Sequence, residues 1–218
     1  MKKYELTEEN ITTKRGVKLY RIKALKTFGN VEAGELGGYI EKEMNLSQDG
    51  NAWVYGNAWV FDDAQVSDDA RVSDDARVCG NAWVFDDARV YGNAWVYGNA
   101  WVSDDAWVFD DAWVFDDARV SDDAQVSDDA QVYGNAWVYG NAWVFDDARV
   151  YGNARVSDNA RVYGNAWVFD DAQVYGNAWV FDDARVFGDA QVYGNARVFG
   201  NANGDTTKKR NKTNENSI

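Results

Sequence analysis

Residues 51–202 repeat a six-residue pattern of apolar and polar positions, Ala-x-Val-x-(Gly/Asp)-(Asn/Asp), without an insertion or a deletion. Valine occupies every sixth position from Val54 to Val198, which makes 25 consecutive hexads, and an alanine stands two residues before each valine. Side chains two residues apart in a strand share a face, so Ala and Val point to one side and the residue between them to the other. A period of six fits no helical repeat. The pattern therefore predicts one short strand per hexad.

A corner follows each predicted strand. The two residues before each alanine are Gly-Asn or Asp-Asp in 23 of the hexads, and these residue types tolerate a positive φ or form local turns. Small Ala and β-branched Val suit a narrow, dry interior lined by strands. The predicted fold class is all-β: a single-stranded parallel β-helix, a solenoid in which each coil contacts only its neighbours.

The residue between Ala and Val, here called the outward position, indicates how many hexads form one coil. It holds 11 Trp, nine Arg and five Gln, and residues stacked in adjacent coils should favour Trp beside Arg. At an offset of 18 residues, 12 of 22 pairs are Trp/Arg, more than at offsets of six, 12 or 24. This bias predicts a triangular helix with three hexads per coil, hence about eight coils and a length of roughly 40 Å.

The two ends of the chain do not follow the hexads. Residues 1–50 contain an alternating stretch, residues 19–25, that is typical of a half-buried strand. A solenoid needs a non-repetitive end that covers its first coil, so we predict that residues 1–50 are an N-terminal β cap. The array then occupies residues 51–202. Residues 203–218 are polar and weakly basic, and we expect a disordered tail there.

The charge of the chain lies mostly in the array. The net charge is −14, and residues 51–202 alone carry nine Arg against 26 Asp. So acidic a body repels phosphate backbones, which argues against duplex nucleic acid as a partner. No apolar stretch resembles a signal peptide or a membrane span, so we expect a cytoplasmic protein without a membrane partner. Cys79, the single cysteine, permits no internal disulfide and is interpreted as a neutral substitution.

Two sets of residues resemble known proteins. The hexads resemble the repeat of left-handed parallel β-helices, although Tyr, Phe or Ser follows the valine where that family usually has Gly or an acidic residue. Residues 28–34, 37–40 and 46–50, followed by Trp53, Val54 and Tyr55, resemble the opening of YdcK-like proteins of bacteria and phages. The resemblance implies a left-handed helix, and it implies transferase activity because such proteins are often labelled putative transferases.

The residues themselves argue against catalysis. Many left-handed β-helix proteins are acyltransferases that use a histidine as general base and a loop inserted between coils. This chain has no histidine and its array has no insertion. We therefore predict a non-enzymatic scaffold or interaction protein without a cofactor, and an acyltransferase-like enzyme stays as an alternative implied by the resemblance.

Two surfaces are candidates for binding. Exposed aromatic rows usually mark interaction sites, so they could support a homo-oligomer or bind a small molecule such as a nucleotide or a sugar. The candidate residues are Trp95, Trp101, Trp107, Trp113, Arg89 and Arg119. Stacked aspartate pairs could instead bind cations, and the weak candidates are Asp104, Asp105, Asp122 and Asp123. We favour a solvated acidic surface over a metal site there.

Overall fold

The computed structural model describes residues 2–199 of the chain. It begins with three strands of ordinary length, β1 (Tyr4–Thr12), β2 (Lys18–Ala24) and β3 (Leu36–Ile40), and a one-turn 3₁₀ helix at Glu43–Asn45. Nothing helical in this range has the length and apolar character needed to cross a bilayer. The predicted tail, residues 203–218, lies outside the described residues.

Twenty-five short strands follow, one per hexad, as the sequence pattern predicts. Each consists of the outward residue and the valine, and two include the next residue as well. In chain order they are β4 Trp53–Val54, β5 Trp59–Val60, β6 Gln65–Val66, β7 Arg71–Val72, β8 Arg77–Val78, β9 Trp83–Val84, β10 Arg89–Val90, β11 Trp95–Val96, β12 Trp101–Val102, β13 Trp107–Val108, β14 Trp113–Val114, β15 Arg119–Val120, β16 Gln125–Val126, β17 Gln131–Val132, β18 Trp137–Val138, β19 Trp143–Val144, β20 Arg149–Val150, β21 Arg155–Val156, β22 Arg161–Val162, β23 Trp167–Val168, β24 Gln173–Val174, β25 Trp179–Phe181, β26 Arg185–Val186, β27 Gln191–Val192 and β28 Arg197–Phe199.

The short strands form three parallel sheets, and every third strand along the chain belongs to the same sheet. Face 1 contains β3, β5, β8, β11, β14, β17, β20, β23 and β26, and β2 and β1 continue it in antiparallel order. Face 2 runs from β4 through β7 and β10 to β28, and face 3 runs from β6 through β9 and β12 to β27. The prediction of three hexads per coil is thereby confirmed.

Neighbouring coils are in register at 18 residues. Trp59 pairs with Arg77, and its backbone N–H donates to the carbonyl of Ala76 at 2.9 Å. The corners are bonded in the same way, because the N–H of Asn57 donates to the carbonyl of Asp74 at 2.9 Å. Backbone groups of both the strands and the corners are therefore satisfied by the adjacent coil, which a stack of two-residue strands requires.

The core is a column of alanine and valine. From Ala52 to Ala184 the inward Ala and Val side chains are at most 1% exposed. Towards the last described coil the exposure rises to 8% at Ala190 and Val198, and Ala196 is only partly buried. Burial of each valine stabilises the fold by up to about 1.5 kcal/mol, so the array depends on many coils stacked together.

The segment before the array contributes a coil of its own. β3 pairs in parallel with β5, and Leu46 forms a parallel bridge with Val66. The solenoid therefore has about nine turns, one more than the eight that the hexads alone predict. The side chain of Asn45 takes part in this extra coil, since its Nδ2 donates to the carbonyl of Ala64 at 2.9 Å.

The antiparallel β1–β2–β3 sheet packs over the start of the array. Trp53 occupies an outward position, yet it is fully buried, because its ring packs edge-on against Tyr4 and Phe28 at 6.1 and 5.4 Å. The expectation that every outward residue faces solvent is therefore wrong at Trp53. Tyr4 further links the two parts, donating from Oη to the carbonyl of Leu46 at 2.7 Å.

Candidate functional site

Two rows of large side chains run along each face of the solenoid. One row consists of the outward residues, and the other of the residues that follow the valines, here called the flanking positions. On face 1 the flanking row contains six consecutive stacked rings, with centroids 4.8–5.2 Å apart. They are Tyr97, Phe115, Tyr133, Tyr151, Phe169 and Phe187.

Arginine and tryptophan are frequent neighbours in the outward rows. Eleven of the 12 Trp/Arg neighbours predicted from the sequence place the guanidinium over the indole ring, at 4.6–5.9 Å from its centroid. In the remaining pair, Trp53 and Arg71, the N-terminal strands cover the indole. An exposed cation–π contact contributes roughly 0.5–1 kcal/mol, so these rows stabilise the stack of coils.

The six predicted binding residues lie on three different faces. Trp95 and Trp113 stack at 5.6 Å on face 1, Arg89 lies over Trp107 at 4.9 Å on face 2, and Arg119 lies over Trp101 at 5.0 Å on face 3. They form three pairs and do not converge on one site.

Face 3 carries an aromatic patch that is open to solvent. Trp83 and Trp101 stack at 5.6 Å and are 41% and 39% exposed. Phe85 packs edge-on against both indoles, at 6.5 and 6.0 Å. Ser103, and not a ring, follows Trp101 in the flanking row, which leaves the side of that indole uncovered. We call Trp83, Phe85 and Trp101 the face 3 patch.

The aspartates at the corners bond to the backbone. Asp104 adopts a φ of +57°, and its Oδ2 accepts hydrogen bonds from the N–H of Asp122 at 3.3 Å and from the hydroxyl of Ser103 at 3.0 Å. Asp122 repeats this arrangement with the N–H of Gly140 at 2.9 Å. Within residues 2–199, no group of three or more His, Cys, Asp or Glu side chains has the geometry to hold a metal ion. Of the four weak cation candidates, Asp104 and Asp122 thus accept backbone hydrogen bonds at the corners, and Asp105 and Asp123 are the exposed residues that follow them.

A cavity of about 630 Å³ lies where the turn between β1 and β2 overhangs face 1. The turn contributes Thr13, Lys14 and Arg15. Face 1 contributes two aromatic rows and the residues between them, namely Trp59, Phe61, Asp62, Arg77, Cys79, Gly80, Trp95, Tyr97 and Gly98. This is the size of pocket that holds small organic ligands in proteins.

Three hydrogen bonds close the turn that roofs the cavity. Thr13 donates its N–H to the carbonyl of Val17 at 2.8 Å, and its hydroxyl accepts the N–H of Val17 at 3.1 Å. Gly16, at a φ of +85°, closes the turn by donating to the carbonyl of Thr13 at 2.9 Å. Lys14 and Arg15 therefore project from a built turn, and neither takes part in a salt bridge within the described chain.

Cys79 lies at the floor of the cavity. Burial is the largest cause that raises the pKa of its thiol to about 11, and the nearby Asp62 carboxylate acts in the same direction. The opposing effects of Arg15 and Arg77 are smaller. The thiol is protonated at neutral pH, and a thiolate is the nucleophilic form of cysteine. The Cys79 thiol is therefore poorly suited to act as a nucleophile at neutral pH.

The sequence pattern predicts little of this cavity. Trp95 is among the predicted binding residues, but Lys14 and Arg15 are not, because their position above face 1 depends on how β1 and β2 pack. The available signal was Cys79, the one flanking residue that is neither Ser, Tyr nor Phe.

The repeats, the three parallel faces and the inward Ala and Val columns together define a hexapeptide-repeat β-solenoid. The family model described as "YdcK Beta solenoid repeat" matches half of the chain, in segments spread along the array. The matched residues are 64–80, 82–98, 88–104, 130–146, 148–160, 154–170, 172–188 and 190–202. The chain belongs to this family of YdcK β-solenoid repeat proteins.

One curated relative supports the same grouping. The protein named "Uncharacterized acetyltransferase YdcK" of Escherichia coli (strain K12) is 42% identical to the chain over 62 residues. This alignment covers 25% of the chain and 19% of the relative, so the chain spans about a fifth of that protein.

Proposed function

We propose that the protein is a non-enzymatic scaffold that associates with a second copy through its aromatic faces. The face 3 patch is the observation that carries the proposal. Two stacked indoles that are each about two fifths exposed present their ring edges side by side, with Arg119 over the far side of Trp101, on a chain with a net charge of −14. Aromatic surface of this kind is enriched at the centres of protein interfaces.

The structural roles of the hexad residues support a scaffold rather than an enzyme. The inward residues form the core, the outward arginines lie on indoles, and the corner carboxylates accept backbone hydrogen bonds. Histidine is absent from the sequence. A repeated surface of this type presents many equivalent contacts along its length and suits association better than chemistry at one point.

The test is the mass in solution of the wild type and of a double variant, Trp83→Gln with Trp101→Gln. Glutamine occupies the outward position elsewhere in the array, for instance at Gln65 and Gln125, so the fold should tolerate it. Light scattering on a size-exclusion column should give a multiple of 24.5 kDa for the wild type and the monomer mass for the double variant.

The matched control is Trp167→Gln on face 1, where Arg149 and Arg185 cover the indole at 5.3 and 4.7 Å. This variant should associate as the wild type does. A wild type that remains a monomer over the whole concentration range would refute the scaffold proposal. Equal association of the double variant and the wild type would exclude the face 3 patch as the interface.

Acetyl transfer is the second candidate, and the observation that favours it is the name of the E. coli relative. It would require a general base other than histidine, such as one of the corner aspartates. Incubation with acetyl-CoA and a panel of amines and alcohols tests it, with release of the CoA thiol followed by a thiol reagent. Release above the rate without acceptor would establish a transferase and refute the non-enzymatic proposal.

A further inference from the structure

The aromatic ladder of face 1 is broken at one position, and this break opens into the cavity. Six stacked rings run from Phe187 to Tyr97, and Phe61 occupies the flanking position two coils before Tyr97. Cys79 stands between them. Coils are about 4.8 Å apart, so a ring placed midway between Phe61 and Tyr97 would lie about 5 Å from each. That is the spacing of the other rings in the ladder.

The break at Cys79 differs from other breaks in the flanking rows. Ser127 lies between Phe109 and Phe145, and Ser157 lies between Tyr139 and Tyr175. These two serines are buried, at 8% and 6% exposure, whereas Ser73, between Tyr55 and Tyr91 on face 2, is half-buried as Cys79 is.

Cys79, in contrast, lies beneath the β1–β2 turn beside a cavity of about 630 Å³. Cys79 packs against the buried cluster of Leu19, Tyr39 and Phe61, so the N-terminal strands and face 1 both shape this region.

Charge selects the kind of molecule that fits this space. Lys14 and Arg15 reach the cavity from the turn and Arg77 reaches it from face 1, against the single carboxylate of Asp62. The surrounding array is acidic, with 26 Asp against nine Arg in residues 51–202. An excess of positive charge at this one place favours a ligand that carries negative charge.

We propose that this cavity binds a small planar aromatic anion, whose ring fills the rung missing at Cys79 and whose anionic group contacts Lys14 and Arg15. The ring stacks between Phe61 and Tyr97, and stacking on aromatic side chains is a common way to bind flat rings. This site lies on face 1 and goes beyond the scaffold function, which depends on face 3.

Titration calorimetry with two aromatic phosphates, adenosine 5′-monophosphate and 1-naphthyl phosphate, tests the proposal. Adenosine, 1-naphthol and inorganic phosphate are the comparison compounds that lack either the charge or the ring. At least one aromatic phosphate should bind, and its affinity should exceed that of its comparison compounds by about tenfold. Failure of both aromatic phosphates to bind at concentrations of about 1 mM would overturn the proposal.

Two variants distinguish binding in this cavity from binding to other aromatic surfaces of the protein. Cys79→Phe supplies the missing ring from the protein and should lower affinity by about tenfold or more while the melting temperature stays at or above that of the wild type. Ser73→Phe fills the half-buried break between Tyr55 and Tyr91 on face 2 and should leave affinity unchanged.

Two further variants test the charge and the thiol. Arg15→Glu should weaken binding of the phosphate and leave the weak binding of adenosine unchanged. Cys79→Ser, which keeps the rung empty, should bind as the wild type does. Equal affinity of Cys79→Phe and the wild type would place the ligand elsewhere and refute the proposed site.

Discussion

One residue in each corner adopts a positive φ, and the sequence uses Gly or Asp there. Asp122 is an example, with a φ of +57° and an Oδ2 that accepts the N–H of Gly140 at 2.9 Å. A left-handed conformation costs most side chains about 1–2 kcal/mol, while Gly adopts it freely and Asp tolerates it. The restriction of this corner position to Gly or Asp therefore follows from its backbone conformation.

This geometry predicts different effects for two substitutions of Asp122. Asp122→Ala should lower the free energy of unfolding by about 1–2 kcal/mol, because alanine is strained in the left-handed backbone conformation and provides no hydrogen-bond acceptor. Asp122→Gly loses the same acceptor but relieves the backbone, so it should destabilise less. Urea unfolding followed by circular dichroism measures both. Asp123→Ala, at the next corner position, is the control and should stay within about 0.5 kcal/mol of the wild type. Equal stability of the Ala and Gly variants at position 122 would contradict the argument.

Prediction at the residue scale succeeded where contacts repeat and failed where they occur once. The inward Ala and Val and the Trp/Arg neighbours follow from the period, because every coil meets a copy of itself. Trp53 follows the same Gly-Asn-Ala segment as Trp59 and fills the same outward position, yet the N-terminal strands bury it completely. No local signal distinguishes these two tryptophans, since the difference arises from the packing of Tyr4 and Phe28.

At the scale of single strands, two residues per strand provide little stability without the coils above and below. Val126 in β16 is fully buried, and its strand pairs with β13 and β19. A charge at this position would have no partner in a core of Ala and Val. Burial of an unpaired carboxylate costs several kcal/mol, and the stack cannot open locally without exposing both neighbours.

Val126→Asp should therefore abolish the cooperative β signal in far-ultraviolet circular dichroism. Gln125→Glu, a change of the adjacent outward residue that also adds a negative charge, should melt as the wild type does. If Val126→Asp melts unchanged, the assignment of valine to the interior is wrong.

The N-terminal strands depend on close approach to the first coil of the array. Gly37 in β3 has no room for a side chain: an added Cβ would lie 2.5 Å from the carbonyl oxygen of Val54 and 2.6 Å from Cγ1 of Ile22. The alternation in residues 19–25 predicted β2, but the position of β3 against the array depends on this contact and was not predicted.

Gly37→Ala should accordingly loosen the N-terminal strands. Overpacking of a tight contact costs about 1–3 kcal/mol, so scanning calorimetry should show a lower melting temperature for this variant. Leu36→Ala, an exposed change in the same strand, should have little effect because Leu36 is 48% exposed. A melting temperature for Gly37→Ala that matches that of Leu36→Ala would show that the contact is dispensable.

At the scale of the whole molecule, the regular array and its irregular N-terminal end have different roles. The array provides stiffness and equivalent faces, and those features could be predicted from the period of six and the offset of 18. The start of the solenoid has no coil before it, so its backbone carbonyls need other partners. Lys3 provides one solution, because its buried Nζ donates to the carbonyls of Ala52 at 3.0 Å and Asp49 at 3.1 Å. The cavity beneath the β1–β2 turn lies at the same end, so local exceptions to the repeat concentrate there.

Lys3 makes the stability of the folded protein rise with pH in the alkaline range. Burial is the main cause that lowers its pKa from 10.5 to about 8 in the folded protein. Between these values the unfolded chain holds the proton and the folded chain does not, so the contribution of Lys3 to stability rises with pH from about 8 to about 10. The tyrosines act oppositely above about pH 10, because burial raises the pKa of Tyr4, but they are common to the wild type and the variant.

The stability of the wild type relative to Lys3→Met isolates this effect, since methionine keeps the apolar stem and cannot titrate. The difference in melting temperature between the two proteins should shift in favour of the wild type as the pH rises through this window. Lys2→Met alters an exposed lysine paired with Glu43 and should show no such shift. A constant difference between the wild type and Lys3→Met would mean that the ammonium at the start of the solenoid is as well solvated by its carbonyl partners as it is by water.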